Sequence, residues 1–350
     1  MKKTIFITGG CGFIGARLTK FYIDKNFKVV NIDKLTYAGN KKRLQTISKN
    51  SNYIFYKTDI NNQKKITKLF LKYKPECIFN LAAESHVDYS IDSPFLFIKS
   101  NIIGTYNLLE SVREYLNSVN QITKSSFKFI HVSTDEVFGS AGKYKFNEDS
   151  RYIPSSPYSA SKASSDHLVR SWFKTFGLPT IVSNCSNNFG PFQSPEKFIP
   201  LIIINALNNK KIPIYGDGSQ IRDWLFVEDH INALDLIFKK GIPGESYNIG
   251  SNNEITNLSI AELICELLDK KFRKNKKNSF KKLITFVKDR PGHDKKYAIN
   301  SKKISNKLGW RPNKKFKPSL FETIEWYIDN PSWWTPLIQS RKNVNWLSTK

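Results

Sequence analysis

The chain reads as an α/β protein, a doubly wound parallel sheet followed by a smaller C-terminal α/β part. Three observations carry this. A short apolar strand, Thr4-Ile5-Phe6-Ile7-Thr8, runs into Gly9-Gly10-Cys11-Gly12-Phe13-Ile14-Gly15 and then into a helix ending near Lys25. A second strand, 29–32, ends in Asp33 about 20 residues after the glycines. Further apolar runs of strand length follow at 53–57, 77–80, 127–132 and 180–184, with helical segments such as 101–116 between them.

The first turn has the spacing Gly-x-Gly-x-x-Gly between a strand and a helix, the Rossmann fingerprint. Glycine there permits a tight turn and lets the backbone approach a pyrophosphate, while the helix N-terminus offers unpaired amides to the phosphates. Gly9, Gly12, Phe13, Ile14 and Gly15 are therefore expected to touch a dinucleotide. A carboxylate at Asp33 can accept the adenosine ribose hydroxyls and repel a 2′-phosphate, which favours NAD over NADP. Its neighbour Lys34 could instead welcome the extra phosphate. Two more strand ends open on the same edge, at Asp59-Ile60 and at Leu81-Ala82-Ala83, where small residues let the dinucleotide lie against backbone. Ser85 can hydrogen-bond a substrate hydroxyl, and His86 fits either a bond to backbone or a direct role.

The chemistry concentrates between Phe127 and Lys162. The buried strand 127–132 delivers Ser133-Thr134-Asp135-Glu136 to the end where a parallel sheet presents residues to ligand. A helix opens near Tyr158, and residues four apart on a helix share a face, so Tyr158 and Lys162 sit side by side. A phenol titrates near ~10 and an ammonium near ~10.4. A fixed Lys beside a Tyr favours the phenolate and makes it a plausible base. Dehydrogenation needs only that pair and the Thr134 hydroxyl. Asp135 and Glu136 add two adjacent carboxyls, enough for an acid and a base in a second proton-transfer step, such as an elimination coupled to an oxidation.

After residue 186 the pattern changes to loops rich in Asn, Pro and Gly, including Asn187 and Pro195-Glu196-Lys197. Residues 212–215, a Gly216-Asp217-Gly218 turn and 220–224 read as a hairpin carrying Arg222. Arg222 can bind a diphosphate or pair with Asp223 or Asp229. Asp229 is the expected N-cap of the next helix, and 245–249 is expected to return as a strand to the main sheet. A helix at 258–271, a strand at 283–287 and Arg290-Pro291-Gly292-His293-Asp294 follow, and the aromatic tail 326–346 is expected to pack on the domain surface. The expected division is 1–186 with 225–250 for the dinucleotide part, and 187–224 with 251–350 for the substrate part.

The 350 residues, 40% apolar and 24% charged, have the composition of an ordinary soluble protein, and no run is long and apolar enough for a signal-peptide core or a membrane span. A cytoplasmic location is expected. Cys11, Cys77, Cys185 and Cys265 are scattered without metal-ligand or disulfide spacing and are expected as small core residues. The net charge of +25 is spread along the chain, and its one dense run, 270–282, reads as a solvated linker without a nucleic-acid-binding motif. The helices at 101–116 and after Tyr158 are expected to pair against a second subunit, making a homodimer.

With these residues assembled, the chain resembles the extended short-chain dehydrogenase/reductases and, among them, the dTDP-glucose 4,6-dehydratases. The general part of the likeness is the glycine loop with Tyr158 and Lys162. The specific part is 33–40, 83–88, 134–139, Pro195-Glu196-Lys197, 220–224 and 290–294. Three residues depart from the family pattern: Cys11 where Ala is usual, Tyr89 where Arg is usual, and Phe138 where Tyr is common. The resemblance implies oxidation of the glucosyl carbon 4 with enzyme-held NAD, loss of water across carbons 5 and 6, and hydride return to carbon 6. It implies Glu136 as the base at carbon 5 and Asp135 as the acid for the departing hydroxyl. It also implies Glu196, Lys197 and Tyr215 at the thymine end of the substrate, Arg222, Asn257 and His293 near its diphosphate, and Ser85, His86, Thr134 and Asn187 among its further contacts. Dehydratases of UDP-, CDP- or GDP-linked sugars and nucleotide-sugar 4-epimerases share much of this pattern, although an epimerase has no elimination for Asp135 and Glu136 to perform. A basic nucleic-acid-associated protein is the reading from another class.

Overall fold

The structure, a computed structural model, describes residues 2–272 and 278–339. In chain order the strands are β1 (Thr4–Thr8), β2 (Lys28–Asp33), β3 (Tyr53–Lys57), β4 (Cys77–Asn80), β5 (Lys128–Thr134) and β6 (Thr180–Cys185). Then come β7 (Asn187–Phe189), β8 (Ile212–Tyr215), β9 (Ile221–Phe226), β10 (Ser246–Ile249), β11 (Glu254–Thr256) and β12 (Ile284–Val287). Seven of them form one parallel sheet in the order β10-β6-β5-β4-β1-β2-β3. The return of 246–249 to the main sheet is thus observed, beside β6.

A parallel sheet covered on both faces needs strands that are apolar throughout, and alternation decides which core each residue enters. Ile5 and Ile7 of β1 join Val29, Cys77, Phe79 and Ile130 in one core, under the helices Phe13–Asp24 and Val227–Lys240. Phe6 points the other way and joins Val30, Ile78, Phe129 and Val182 under the helices Gln63–Tyr73, Gly104–Asn117 and Pro157–Phe176. Ile304, Leu308 and Trp310, from far down the chain, also enter the first core. The order reverses between β1 and β4, and the loops leaving those two strands diverge there to open a crevice.

A separate core gathers Phe189, Ile199, Ile202, Ile212, Trp224, Ile260, Leu268, Leu320, Trp333 and Trp334. It is crossed by two small sheets, β11-β9-β7 and β12-β8. The expected hairpin is not formed. β8 pairs in parallel with β12, and β9 lies between antiparallel β11 and parallel β7. From Arg222 to Phe226 β9 is buried, so both of its edges need partners, and a single hairpin neighbour could satisfy only one. Asp229 is not the N-cap either. Phe226 holds that position, and the Asp229 carboxylate accepts the amides of Asn313 and Lys314, each at 3.1 Å, from inside the first turn.

Two helices differ from expectation in ways that matter for the site. The helix Pro157–Phe176 begins with a capping box in which Ser156 and Ser159 each bond the other's backbone amide. The expected helix at 101–116 is longer. Pro94–Phe97, a π-helical turn Ile98–Ile103 and Gly104–Asn117 run on without a break in helical backbone. Of the basic run at 270–282, residues 273–277 lie outside the described residues, as does the aromatic tail beyond 339. Trp326, Trp333 and Trp334 do pack against the second core.

Candidate active site

The glycine turn is shaped by contacts that leave no room for a side chain. Gly9 has φ +69°, and a Cβ on it would stand 2.8 Å from the Leu81 carbonyl and the Ala82 amide. A Cβ on Gly15 would stand 2.2 Å from the Gly9 carbonyl oxygen. The helix begins at Phe13 with Gly12 at its N-cap and no side chain capping it, so its first amides remain available to an anion. Asp33 closes the end of β2, where its carboxylate accepts the amides of Cys11 at 2.9 Å and Leu35 at 2.7 Å. Burial pushes its pKa up, and those two amides oppose the shift.

Lys34 does not wait for a 2′-phosphate. Its ammonium donates to Ser100 Oγ at 2.7 Å and lies 3.5 Å from Glu84 and 3.8 Å from Asp59. Those two carboxylates would repel a further phosphate, so the surroundings of Asp33 and Lys34 agree on NAD. Asn101, next to Ser100 in the π-helical turn, holds the backbone of Glu84 through both its amide atoms and reaches Ser161 Oγ at 2.8 Å. Such turns recur at functional sites because they redirect side chains without ending a helix.

From the glycine turn a cleft of about 290 Å³ runs across the sheet edge to Glu196 and Lys197. Its walls take in Asp33, Lys34, Asp59, Ile60 and Leu81-Ala82-Ala83 at the cofactor end. At the other end are Ser85, Thr134, Asp135, Glu136, Tyr158, Lys162 and Asn187. His86, Tyr215, Arg222, Asn257 and His293 do not line this cleft. His86 accepts the Tyr89 amide at 3.3 Å and caps the helix Val87–Asp92, in line with the backbone-bonded alternative. Arg222 pairs with neither Asp223 nor Asp229. It donates to the carbonyls of Ile221 and Asp294 and lies 4.1 Å from the centre of the Tyr297 ring. Asn257 donates its amide to the Gln220 carbonyl. Tyr215 donates to Asp88 at 2.8 Å, and Arg290 meets the same carboxylate at 3.2 Å. Two distant segments therefore converge on Asp88. His293 bonds Asp289 at 2.6 Å, and burial, helped by nearby Arg290, takes its pKa down to about 4.

At the reacting end, the Tyr158 phenol faces the Thr134 side chain, which opposes the rise of its pKa. Burial and the Glu136 charge hold that phenol well above its ordinary pKa. The Lys162 ammonium lies one turn along the same helix but is directed at β5, where it donates to the Val132 carbonyl at 2.9 Å rather than to the phenol. The two carboxyls are set apart by their surroundings. Asp135 is buried, one of its oxygens has no hydrogen-bond partner, and burial plus the charges of Glu136 and Asp223 push its pKa well up. For Glu136 burial also raises the pKa, but Arg290, Arg222 and Lys197 pull it back. Lys197 itself donates to the Ser85 carbonyl at 2.9 Å.

The sequence reading missed two residues here. Tyr297 places its hydroxyl 2.9 Å from Asp294 and 3.4 Å from Glu136. Its signal was its position three residues past Asp294, at the end of a motif already singled out. Ser100 left no signal, because only the π-helical turn brings it to the cleft. Of the three departures from the family pattern, Cys11 is buried under the glycine turn. Phe138 stacks on Phe146, and Tyr89 packs edge-on against Tyr37 and Phe97.

A parallel sheet with a glycine-turn crevice, an acidic residue closing β2 and a Thr/Tyr/Lys set beside it defines a dehydrogenase-type dinucleotide site. The chain matches the family described as GDP-mannose 4,6 dehydratase over residues 6–323. It is 52% identical over 341 residues to dTDP-glucose 4,6-dehydratase of Salmonella typhimurium, covering 94% of each chain. Among solved structures it is similar to dTDP-glucose 4,6-dehydratase from Bacillus anthracis in complex with NAD. There the TM-score is 0.84 and the identity 43%, over 96% of this chain and 99% of that one. The same enzyme from Streptomyces venezuelae, also with NAD bound, gives a TM-score of 0.88 at 34% identity over 95% and 99%. The chain belongs to the dTDP-glucose 4,6-dehydratases of the extended short-chain dehydrogenase/reductase family.

Proposed function

We infer that this chain is an NAD-dependent lyase that converts dTDP-glucose to dTDP-4-keto-6-deoxyglucose. The observation that carries the reading is the contrast between two neighbouring carboxyls: burial and the charges of Glu136 and Asp223 push Asp135 well above its ordinary pKa, while at Glu136 the rise caused by burial is opposed by Arg290, Arg222 and Lys197. Divergent surroundings are how one site supplies an acid and a base at one pH. NAD, held by the glycine turn and Asp33, supplies the hydride acceptor at carbon 4 and the hydride donor at carbon 6. Tyr158, beside Thr134, takes the carbon 4 hydroxyl proton. The ketone so formed acidifies carbon 5, where Glu136 removes a proton, and Asp135 protonates the carbon 6 hydroxyl as it departs. Oxidation alone, as in a 4-epimerase, would leave both carboxyls without work.

Glu196 and Lys197, which line the far end of the cleft, are assigned to the base and Asn187 to the sugar, a reading supported by their common lining of the cleft. Arg222, Asn257 and His293 at the diphosphate, and Tyr215 at the thymine, belong to the same reading, although none of the four lines the cleft. Homodimerisation and a cytoplasmic location belong to the same reading. The first is supported by exposed apolar side chains on the helical run from Pro94 to Asn117, and the second by four free, buried cysteines, which suit a reducing compartment. The test is incubation with dTDP-, UDP-, CDP- and GDP-glucose, reading products by mass. Loss of one water from dTDP-glucose is expected. Loss from another nucleotide sugar alone would reassign the base, and interconversion without mass change would make the chain an epimerase.

A further inference from the structure

From Lys162 at the cleft wall, His131 and Asp166 follow one another into the core. Lys162 is 4% exposed, and none of the described carboxylates forms an ion pair with it. Its ammonium lies 3.4 Å from His131 Nε2, and that nitrogen lies 3.4 Å from Asp166 Oδ1. Hydrogen bonds fix the tautomer of the ring. Thr8 donates to Asn80 Oδ1 at 2.7 Å, which turns the Asn80 amide nitrogen toward His131 Nδ1 at 3.1 Å, so Nδ1 accepts and the proton sits on Nε2. Ser165 spends its own proton on the Lys162 carbonyl and so faces Nε2 as an acceptor, at 3.2 Å. The ring is thus neutral, with its Nε2–H turned to Ser165 and Asp166, and it meets the Lys162 ammonium without a hydrogen bond, so the Asp166 charge reaches Lys162 across the ring as a field.

The carboxylate is held ionised by its donors. Ser133 Oγ and Tyr152 OH each donate to Asp166 Oδ2 at 2.9 Å, and Asn184 donates to it at 3.2 Å. Arg170 donates to the Tyr152 hydroxyl at 2.7 Å and reinforces the same charge from the surface side. A buried ammonium without an anion is costly, and Asp166 is the anion this core provides. We propose that Asp166, acting through His131, is the counter-ion that keeps Lys162 charged and aimed, a positioning residue for the oxidation at carbon 4. The proposal rests on the reading of Tyr158 and Lys162 as the carbon 4 machinery.

The titratable groups facing Lys162 are His131 from β5, Cys185 from β6, and Tyr158 and Asp166 from its own helix. Burial lowers the Lys162 pKa, and Asp166 is the largest influence opposing that. Cys185 acts in the same sense as Asp166 only when ionised, and burial takes its thiol up to about 12. Arg170 bears on His131 and Asp166 rather than on Lys162.

The experiment is the pH profile of single-turnover carbon 4 oxidation in the holoenzyme, read as reduced-nicotinamide absorbance, for the parent and for Asp166→Asn. The variant keeps the size and shape of the side chain and loses only the charge. Its alkaline limb is expected to fall to lower pH by about one unit or more, because Lys162 then gives up its proton earlier. His131→Gln, which leaves Asp166 in place but breaks the line, is expected to shift the limb in the same direction by less. It carries the test alone if Asp166→Asn does not fold. A slower variant whose limb stays in place would give Asp166 a structural role only and overturn the proposal. Failure of the underlying reading looks different: Tyr158→Phe would then still oxidise carbon 4, whatever the Asp166 profile shows.

Discussion

Asp135 and Glu136 are neighbours in sequence, yet the fold gives one a partnerless, buried oxygen and the other three cations. Glu136→Gln keeps size but cannot take up the carbon 5 proton. Reduced nicotinamide should still form with substrate, while deuterium from heavy water should no longer enter carbon 5 of recovered sugar. Retained exchange with lost oxidation would reverse the assignment. Tyr158→Phe makes the complementary loss, with carbon 4 oxidation slowed ~10²–10⁴-fold and substrate binding preserved. Asp135 also bears on stability. Its folded pKa is raised by burial first and by Glu136 second, so the folded chain holds a proton that the unfolded chain has released. Folding is then disfavoured increasingly as pH rises above ~3.9, the ordinary Asp value. Asp135→Asn should melt higher than the parent at neutral pH, converge with it below about pH 4, and lose turnover ~10²-fold or more. At this scale the sequence was informative wherever reacting groups are local, as in 134–136 or in Tyr158 with Lys162. Tyr297, 161 residues from Glu136, and Ser100 could not be read, because only tertiary packing brings them in.

Elements were legible where one pattern sufficed. The apolar run Thr4–Thr8 is observed as β1, and the helix expected to open near Tyr158 begins at Pro157. The hairpin at 212–224 was misread because two short apolar segments around a glycine turn look alike whether they pair with each other or with strands from elsewhere. Which partners they take depends on burial of both edges, and that is a property of the second core rather than of the segment. Asp229 was misread for a related reason: an acid near a helix start suits both capping and binding of a remote backbone, here Asn313 and Lys314. The glycine turn supports a sharper expectation. Gly15→Ala puts a Cβ 2.2 Å from the Gly9 carbonyl, a backbone atom that can yield only by moving the turn away from its ligand position. Dinucleotide released on denaturing the purified variant should fall about tenfold or more against the parent, the equivalent of ~1.4 kcal/mol in binding. Undiminished NAD content would mean that the turn does not grip the pyrophosphate.

For the whole molecule, the question the single chain raises is what covers the helical run from Pro94 to Asn117. Phe95 is 65% exposed and Tyr106 43%, with Ile98 and Ile103 between them, all on the face away from the sheet. Tyr106 packs edge-on against Trp172 of the Pro157–Phe176 helix, so the two helices present one surface. Apolar side chains at this density, flanked by Arg113 over Phe176, are more than a solvent-facing helix needs. A second copy of the chain is the occupant proposed above, and a stable pair requires about 800 Å² from each partner, which two helices can supply. The net charge of +25 opposes self-association at long range, so the pairing should rest on apolar burial and tighten as salt screens that repulsion. Phe95→Glu combined with Tyr106→Glu places four like charges at the centre of a two-fold interface, without touching the cleft. Sedimentation should then show a dimer for the parent, at protein concentrations of about 10 µM, and a monomer for the double variant. The consequence should reach the site as well. Ile98 and Ile103 bound the π-helical turn whose Ser100 holds Lys34 and whose Asn101 holds Glu84. The monomer should therefore retain less NAD than the dimer. A parent that sediments as a monomer at both low and high salt would remove the second copy from this surface. A monomeric variant with full NAD content would keep the dimer but sever its link to the cofactor site.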